Sequence, residues 1–267
     1  MIYRLPDITP ENAALTQKLE QMHIEFLDLF TSHKDMVENE SDILTSVYLE
    51  KLGRFQLELL KKQTEASRLK MKMNFIQAAI NRNENPNLKA IDKEIDKRLD
   101  NYYQQIASQS AAIDDANKVL SLLISEEETK KLKEIFRVLC KKLHPDLNPN
   151  QTENERDLFV KVKAAYELQR LGDLQNILLY LDESCKENLT SVLKHDKEER
   201  IKHLENQVKN LRDKIEKLKQ SFPFNIRELI FDDDYIRQKQ EELRIQIKTA
   251  EEEADKYLNF IKIMIDE

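Results

Sequence analysis

The stretch from Lys130 to Gly172, KKLKEIFRVLCKKLHPDLNPNQTENERDLFVKVKAAYELQRLG, decides how the whole chain reads. Just ahead of it, Ser125 followed by Glu128 forms a capping box, in which hydroxyl and carboxylate each satisfy an amide left orphaned at a helix start. Leu132, Ile135, Phe136, Leu139 and Leu143 then recur at the spacing of one helical face. Lys133, Arg137 and Lys141 follow each other at one-turn intervals along another face, with Lys142 beside them. Pro145 ends this helix, because its ring pushes His144 out of the helical region. Thr152 and Glu155 make a second capping box. The helix it opens carries Leu158, Phe159, Val162, Ala165, Tyr166 and Leu168, with Phe159 and Tyr166 expected in the core. Gly172 stands where a left-handed helix terminus wants a glycine, and Asp173 can cap a short helix reaching Leu181. The stretch predicts two antiparallel helices joined by a proline loop.

Working outward, the pattern resembles the J-domain of DnaJ-type co-chaperones. The resemblance rests on Leu139-Cys140-Lys141-Lys142-Leu143-His144-Pro145-Asp146-Leu147-Asn148-Pro149, with Phe136 upstream and Phe159, Ala165, Tyr166 and Glu167 at the family's later spacing. It covers residues 113 to 184, about a quarter of the chain. The chain departs from the family where Val119, Leu120, Leu122 and Leu123 replace the Tyr-x-x-Leu-Gly of its first helix. The apolar segment Asp173 to Leu181 replaces its last, basic helix. No Gly/Phe-rich linker and no Cys-x-x-Cys repeats follow. The likeness is to the class that shares only the J-domain. It implies that His144, Pro145 and Asp146, with Lys133, Arg137, Lys141 and Lys142, dock on a DnaK-type chaperone and stimulate its ATPase. Asp146 would form a charge-assisted bond to an arginine of that partner, and the basic residues would meet an acidic surface.

Composition supports an all-α reading. The chain has 267 residues, 35% of them charged, with two glycines and six prolines. That is too little turn chemistry for a β-rich fold and suits long helices. The net charge of −7 opposes bulk nucleic-acid binding. No run approaches the length of apolar sequence that a membrane helix needs, and Met1-Ile2-Tyr3-Arg4-Leu5-Pro6-Asp7 has no apolar signal core. Cys140 and Cys185 stand apart, without metal spacing, so a reducing compartment and cytoplasmic location are expected. His23, His33, His195 and His203 are scattered, and the sequence offers no metal set, cofactor loop or nucleophile motif. An enzyme is not expected.

The flanks read as helical arms. Thr9-Pro10-Glu11 starts a helix carrying Leu15, Leu19, Met22, Phe26 and Leu29. Glu38 to Ser41 reads as a polar break. Tyr48, Leu52, Phe55, Leu59, Ala66, Leu69, Met73, Ile76 and Ile80 follow heptad steps, interrupted by Lys62. Asn85-Pro86-Asn87 marks a turn. A second stripe then runs through Leu88, Ile91, Ile95, Leu99, Tyr102, Ile106, Ile113 and Leu120. Beyond the mixed connector Asp182 to Asp196, a seam at Ile201, Leu204, Val208, Leu211, Ile215 and Leu218 stops at Ser221-Phe222-Pro223-Phe224. Asp232-Asp233-Asp234 suits the positive start of a last helix, whose seam is Leu243, Ile247, Ala250, Ala254, Tyr257, Ile261 and Met264.

These signals predict a J-like helical hairpin between two long antiparallel coiled-coil hairpins, with domains at 1–112, 113–184 and 185–267. The expected function is a co-chaperone whose arms position a client of unspecified identity. The rival is a coiled-coil scaffold whose J-like hairpin is only a spacer. A nucleic-acid-associated protein using the basic helix is a third reading, opposed by net charge. The seams leave monomer or homodimer open.

Overall fold

The computed structural model describes residues 10–121, 125–184 and 194–266. Its elements are all helical, with no strand among the described residues, so the chain is all-α. In order they are α1 (Pro10–Asp35), a π-helical turn (Met36–Glu40), α2 (Ser41–Tyr48), a second π-helical turn (Leu49–Gly53), α3 (Arg54–Asn81), α4 (Leu88–Ser121), α5 (Glu126–Leu143), α6 (Glu153–Glu167), α7 (Leu171–Ser184), α8 (Lys194–Gln220), a 3₁₀ turn (Phe224–Ile226), α9 (Arg227–Phe231) and α10 (Asp233–Asp266). The cap expected at Thr9, the pair Leu122 and Leu123, Cys185 and most of the connector between Asp182 and Asp196 lie outside the described residues.

The chain forms two compact units. One comprises Met1–Ser41 with Leu123–Phe224, the other Asp42–Leu122 with Asn225–Glu267. These cuts differ from the contiguous segments 1–112, 113–184 and 185–267, because each unit is completed by helices far apart in sequence.

In the first unit, α5, α6 and α7 pack on one another around Leu132, Phe136, Leu139, Leu143, Val162 and Tyr166. Burial of each large side chain contributes on the order of 1.5–3 kcal/mol. Leu27 and Phe30 of α1 close the same core. The apolar stretch near Val119 and Leu120, expected as the first helix of this unit, instead ends α4 in the other unit. Both capping boxes form: the Glu128 amide donates to Ser125 Oγ at 3.2 Å, and the Glu155 amide to Thr152 Oγ1 at 3.3 Å, with each carboxylate bonded back to its cap residue's amide. Gly172 is not the left-handed terminus. Gln169 takes that role with φ 51, its amide bonding to Tyr166 O and that of Arg170 to Ala165 O, which satisfies the end of α6. Gly172 lies inside the first turn of α7.

The seam of α8 faces α1. Phe26 packs with Leu204, Val208 and Leu211, and Lys18 pairs with Glu205 at 2.7 Å. Glu25 pairs with Arg212, two turns further along both helices, so α1 and α8 run parallel.

In the second unit, α3 and α4 fold back antiparallel. Arg68 pairs with Asp96 at 3.1 Å and Lys72 with Asp92 at 3.0 Å. The opposite side of α3 meets α10. Gln240 donates to Lys51 O at 2.9 Å, the Arg244 guanidinium lies over Phe55, and Lys62 pairs with Glu251 at 3.0 Å. Residue numbers climb together, so α10 runs parallel to α3. The expected hairpin of the last two long helices is corrected accordingly: the seam of α8 is filled by α1 and that of α10 by α3. Lys62 does not break a seam but anchors α10. Glu38 to Ser41 is no break either, since Asp35 and Ser41, on either side of the π turn, both keep helical dihedrals. The Asp232 carboxylate accepts from the amides of Asp234 and Tyr235 at 2.9 and 3.1 Å, capping α10 as its acidic lead predicts.

Candidate functional site

The loop between α5 and α6 is built by local bonds. His144 is the first non-helical residue, extended at φ −74, ψ 130 under the influence of Pro145. Its carbonyl accepts from the amides of Leu147 and Asn148 at 3.1 and 2.9 Å. The Asn148 side chain donates back to Lys141 O at 3.0 Å, and that of Gln151 to Leu143 O. The Asp146 amide donates to His144 Nδ1 at 3.1 Å. That acceptor role leaves the imidazole proton on Nε2 of the neutral ring.

His144 is 8% exposed. Three aromatic rings meet it edge to face: Phe30 at 4.4 Å, Phe26 at 4.9 Å and Phe159 at 5.1 Å between centroids. Burial in this apolar ring disfavours the cation and lowers the His144 pKa to about 4, against an opposing pull from Asp146. The imidazole is therefore neutral at physiological pH.

The residues singled out for docking differ in exposure. Pro145 and Lys141 are exposed, and Lys142 and Asp146 are half-buried. Lys133, Arg137, His144 and Asp146 meet side chains of α1 and α8. Lys133 pairs with Asp35 at 2.6 Å and Arg137 pairs with Asp28, both carboxylates from α1. His144 is covered by Phe26 and Phe30 of the same helix. Asp146 Oδ1 lies 3.5 Å from Nε2 of His203 on α8. Sequence spacing brings together Lys133, Arg137, Lys141 and Lys142 on α5, but it does not reveal what covers them.

Beneath the basic face lies a buried polar cluster that sequence reasoning missed. Tyr166 stacks on Phe136, with centroids 3.9 Å apart, and donates its hydroxyl to Asp35 Oδ1 at 2.9 Å. Burial, reinforced by the Asp35 carboxylate, raises the Tyr166 pKa and keeps it a donor. Asn39 donates to Asp35 at 3.3 Å and Gln169 donates to Asn39 at 3.2 Å. Lys34 bonds Glu167 at 2.7 Å and also Glu38. These contacts clamp the end of α1 across α5 and α6. No periodicity announces the links to Tyr166, Glu167 and Gln169, because they join single polar residues more than a hundred positions apart. Cys140, fully buried beside them, has its thiol pKa raised by desolvation and is poorly suited to act as a nucleophile.

Among the described residues, no group of three His, Cys, Asp or Glu side chains could hold a metal ion, and no helix is long and apolar enough to cross a membrane. Compared with known proteins, the chain matches no family model, no curated protein and no solved structure.

Proposed function

We propose that the chain is a protein-recruiting adaptor of the J-domain type, whose α5–α6 hairpin engages a DnaK-type chaperone in the cytoplasm and stimulates its ATP hydrolysis. The observation that carries this reading is the loop itself. The bond from the Asp146 amide to His144 Nδ1 locks the His-Pro-Asp turn at the tip of an antiparallel helix pair. Exposed Pro145 and Lys141 stand beside it. A partner arginine meeting Asp146 and an acidic partner surface meeting Lys141 and Lys142 would give charge-assisted, salt-sensitive recognition. Hydrolysis would occur on the partner, so the chain would contribute no catalytic group. The α3–α4–α10 unit would present the client.

Steady-state ATP turnover by the DnaK-type chaperone of the same organism tests this. Full-length chain should raise turnover, and Asp146→Asn should abolish the rise while keeping helical circular dichroism. Absence of stimulation under any condition would count against recruitment.

A second reading, a scaffold whose hairpin is a spacer, draws support from Lys133 and Arg137 being paired already and from His144 being buried. On that reading His144 and Asp146 serve packing alone. Asp146→Asn would then leave the biological role intact, and Leu211→Asp, which breaks the α1–α8 seam, would destroy it.

A further inference from the structure

We infer that α1 and α8 form a strap that holds the docking face of the α5–α6 hairpin closed, so that chaperone recruitment requires the strap to be displaced. This inference rests on the recruitment reading above.

The contacts converge on the residues that recruitment would use. From α1, Asp28 and Asp35 meet the cations Arg137 and Lys133, and Phe26 and Phe30 meet the ring of His144. From α8, His203 faces Asp146. The strap thus supplies acidic groups where an acidic partner would bind, and a ring nitrogen where a partner arginine would approach the Asp146 carboxylate. Its chemistry is that of the expected partner, offered in cis. The two helices act together, since Phe26, which meets His144, also packs with Leu204, Val208 and Leu211.

The strap is also built to open at one end. Its polar contacts at that end, Arg137–Asp28 and Asp146–His203, involve half-exposed side chains, which hold weakly and are screened by salt. The other end is clamped by the buried Tyr166–Asp35 bond. Displacement would therefore pivot on the Asp35 end and uncover His144, Arg137 and Asp146, leaving Asp35 in place.

The test uses the full-length chain in three forms: wild type, the release variant Asp28→Arg/Phe30→Ala, and that variant with Asp146→Asn added. Two properties are read. One is the turnover of the DnaK-type chaperone at a fixed, subsaturating concentration of the chain. The other is the reactivity of His144 toward an imidazole-modifying reagent, located by mass spectrometry. The expected result is at least a several-fold rise in stimulation on release, accompanied by His144 reactivity and lost again with Asp146→Asn. A second variant, Lys18→Glu/His203→Ala, loosens α8 from the same face and should act in the same direction; it carries the test if the first fails to fold. Equal stimulation by wild type and release variants, with His144 newly reactive, would overturn the strap and leave recruitment standing. No stimulation by any form, with His144 reactive, would overturn recruitment and the strap together.

Discussion

Acid should weaken the first unit through one residue more than any other. His144 is held neutral by the rings of Phe26, Phe30 and Phe159, with its pKa lowered to about 4 from the ordinary 6.5. Between those values the unfolded chain takes up a proton at His144 that the folded chain refuses, so stability falls as pH falls. Linkage over this shift gives a loss of about 2 kcal/mol between pH 7 and pH 4.5 from this residue. His23 and His33 are likewise lowered by burial and act with the same sign. They do so equally in a His144→Gln variant, so the difference between the two proteins isolates His144. Urea denaturation at pH 7 and pH 4.5 should show the wild type losing about 2 kcal/mol more than His144→Gln, whatever the variant's stability at pH 7. NMR titration should find the His144 imidazole well below the exposed range. Identical pH slopes in the two proteins, or a His144 midpoint near 6.5, would refute the aromatic enclosure.

Three substitutions probe the surrounding architecture. Gly172→Ala should stabilise by about 0.5–1 kcal/mol in thermal or urea denaturation, since the site is helical and nothing lies within 4 Å of an added Cβ; a loss of stability would show that the glycine is needed for its backbone. Tyr166→Phe keeps the stack on Phe136 but removes the hydroxyl bond to Asp35. It should cost about 2 kcal/mol and raise hydrogen exchange at the end of α1 before elsewhere. Thr152→Ala removes one capping box and should cost about 1 kcal/mol, measured by urea denaturation, with Ser125→Ala giving a similar loss.

What the sequence made legible was the part governed by near neighbours. The capping boxes at Ser125 and Thr152, the stop at Pro145, the buried faces through Phe136, Leu139 and Tyr166, and the aspartate cap before α10 all follow from interactions within a few residues. The seams of α8 and α10 were equally visible as apolar stripes, but a stripe does not name the helix that covers it. Both found parallel partners near the start of the chain, because α1 offers Leu19, Met22 and Phe26 and α3 has two sides to fill. Burying two sides also explains Leu57 and Thr64, which lie off the expected stripe of α3 yet are buried. Tyr102 shows the reverse: it stands on the expected stripe of α4 but is 49% exposed. At the candidate site, residue types and spacing marked His144 to Asp146 and the α5 cations. The counter-charges Asp28, Asp35 and His203 carried no local signal, since each is an ordinary polar residue on a charged helix until the fold sets it opposite its partner.

The parallel pairings also set an order of events during synthesis. Glu25 and Arg212 are 187 positions apart, and Lys51 and Gln240 are 189 apart. A ribosome adding about 5–20 residues per second takes on the order of ten seconds or more to cover such a gap. Through that interval α1 and α3 are made while α8 and α10 are not, and the α8-facing side of α1 at Phe26 and the α10-facing side of α3 at Phe55 stand open. The α5–α6 hairpin is complete well before α8, since its own core closes over short sequence separations, and short-range contacts form early. The nascent chain therefore passes through a stage in which the His-Pro-Asp loop is folded and α8 has yet to reach it.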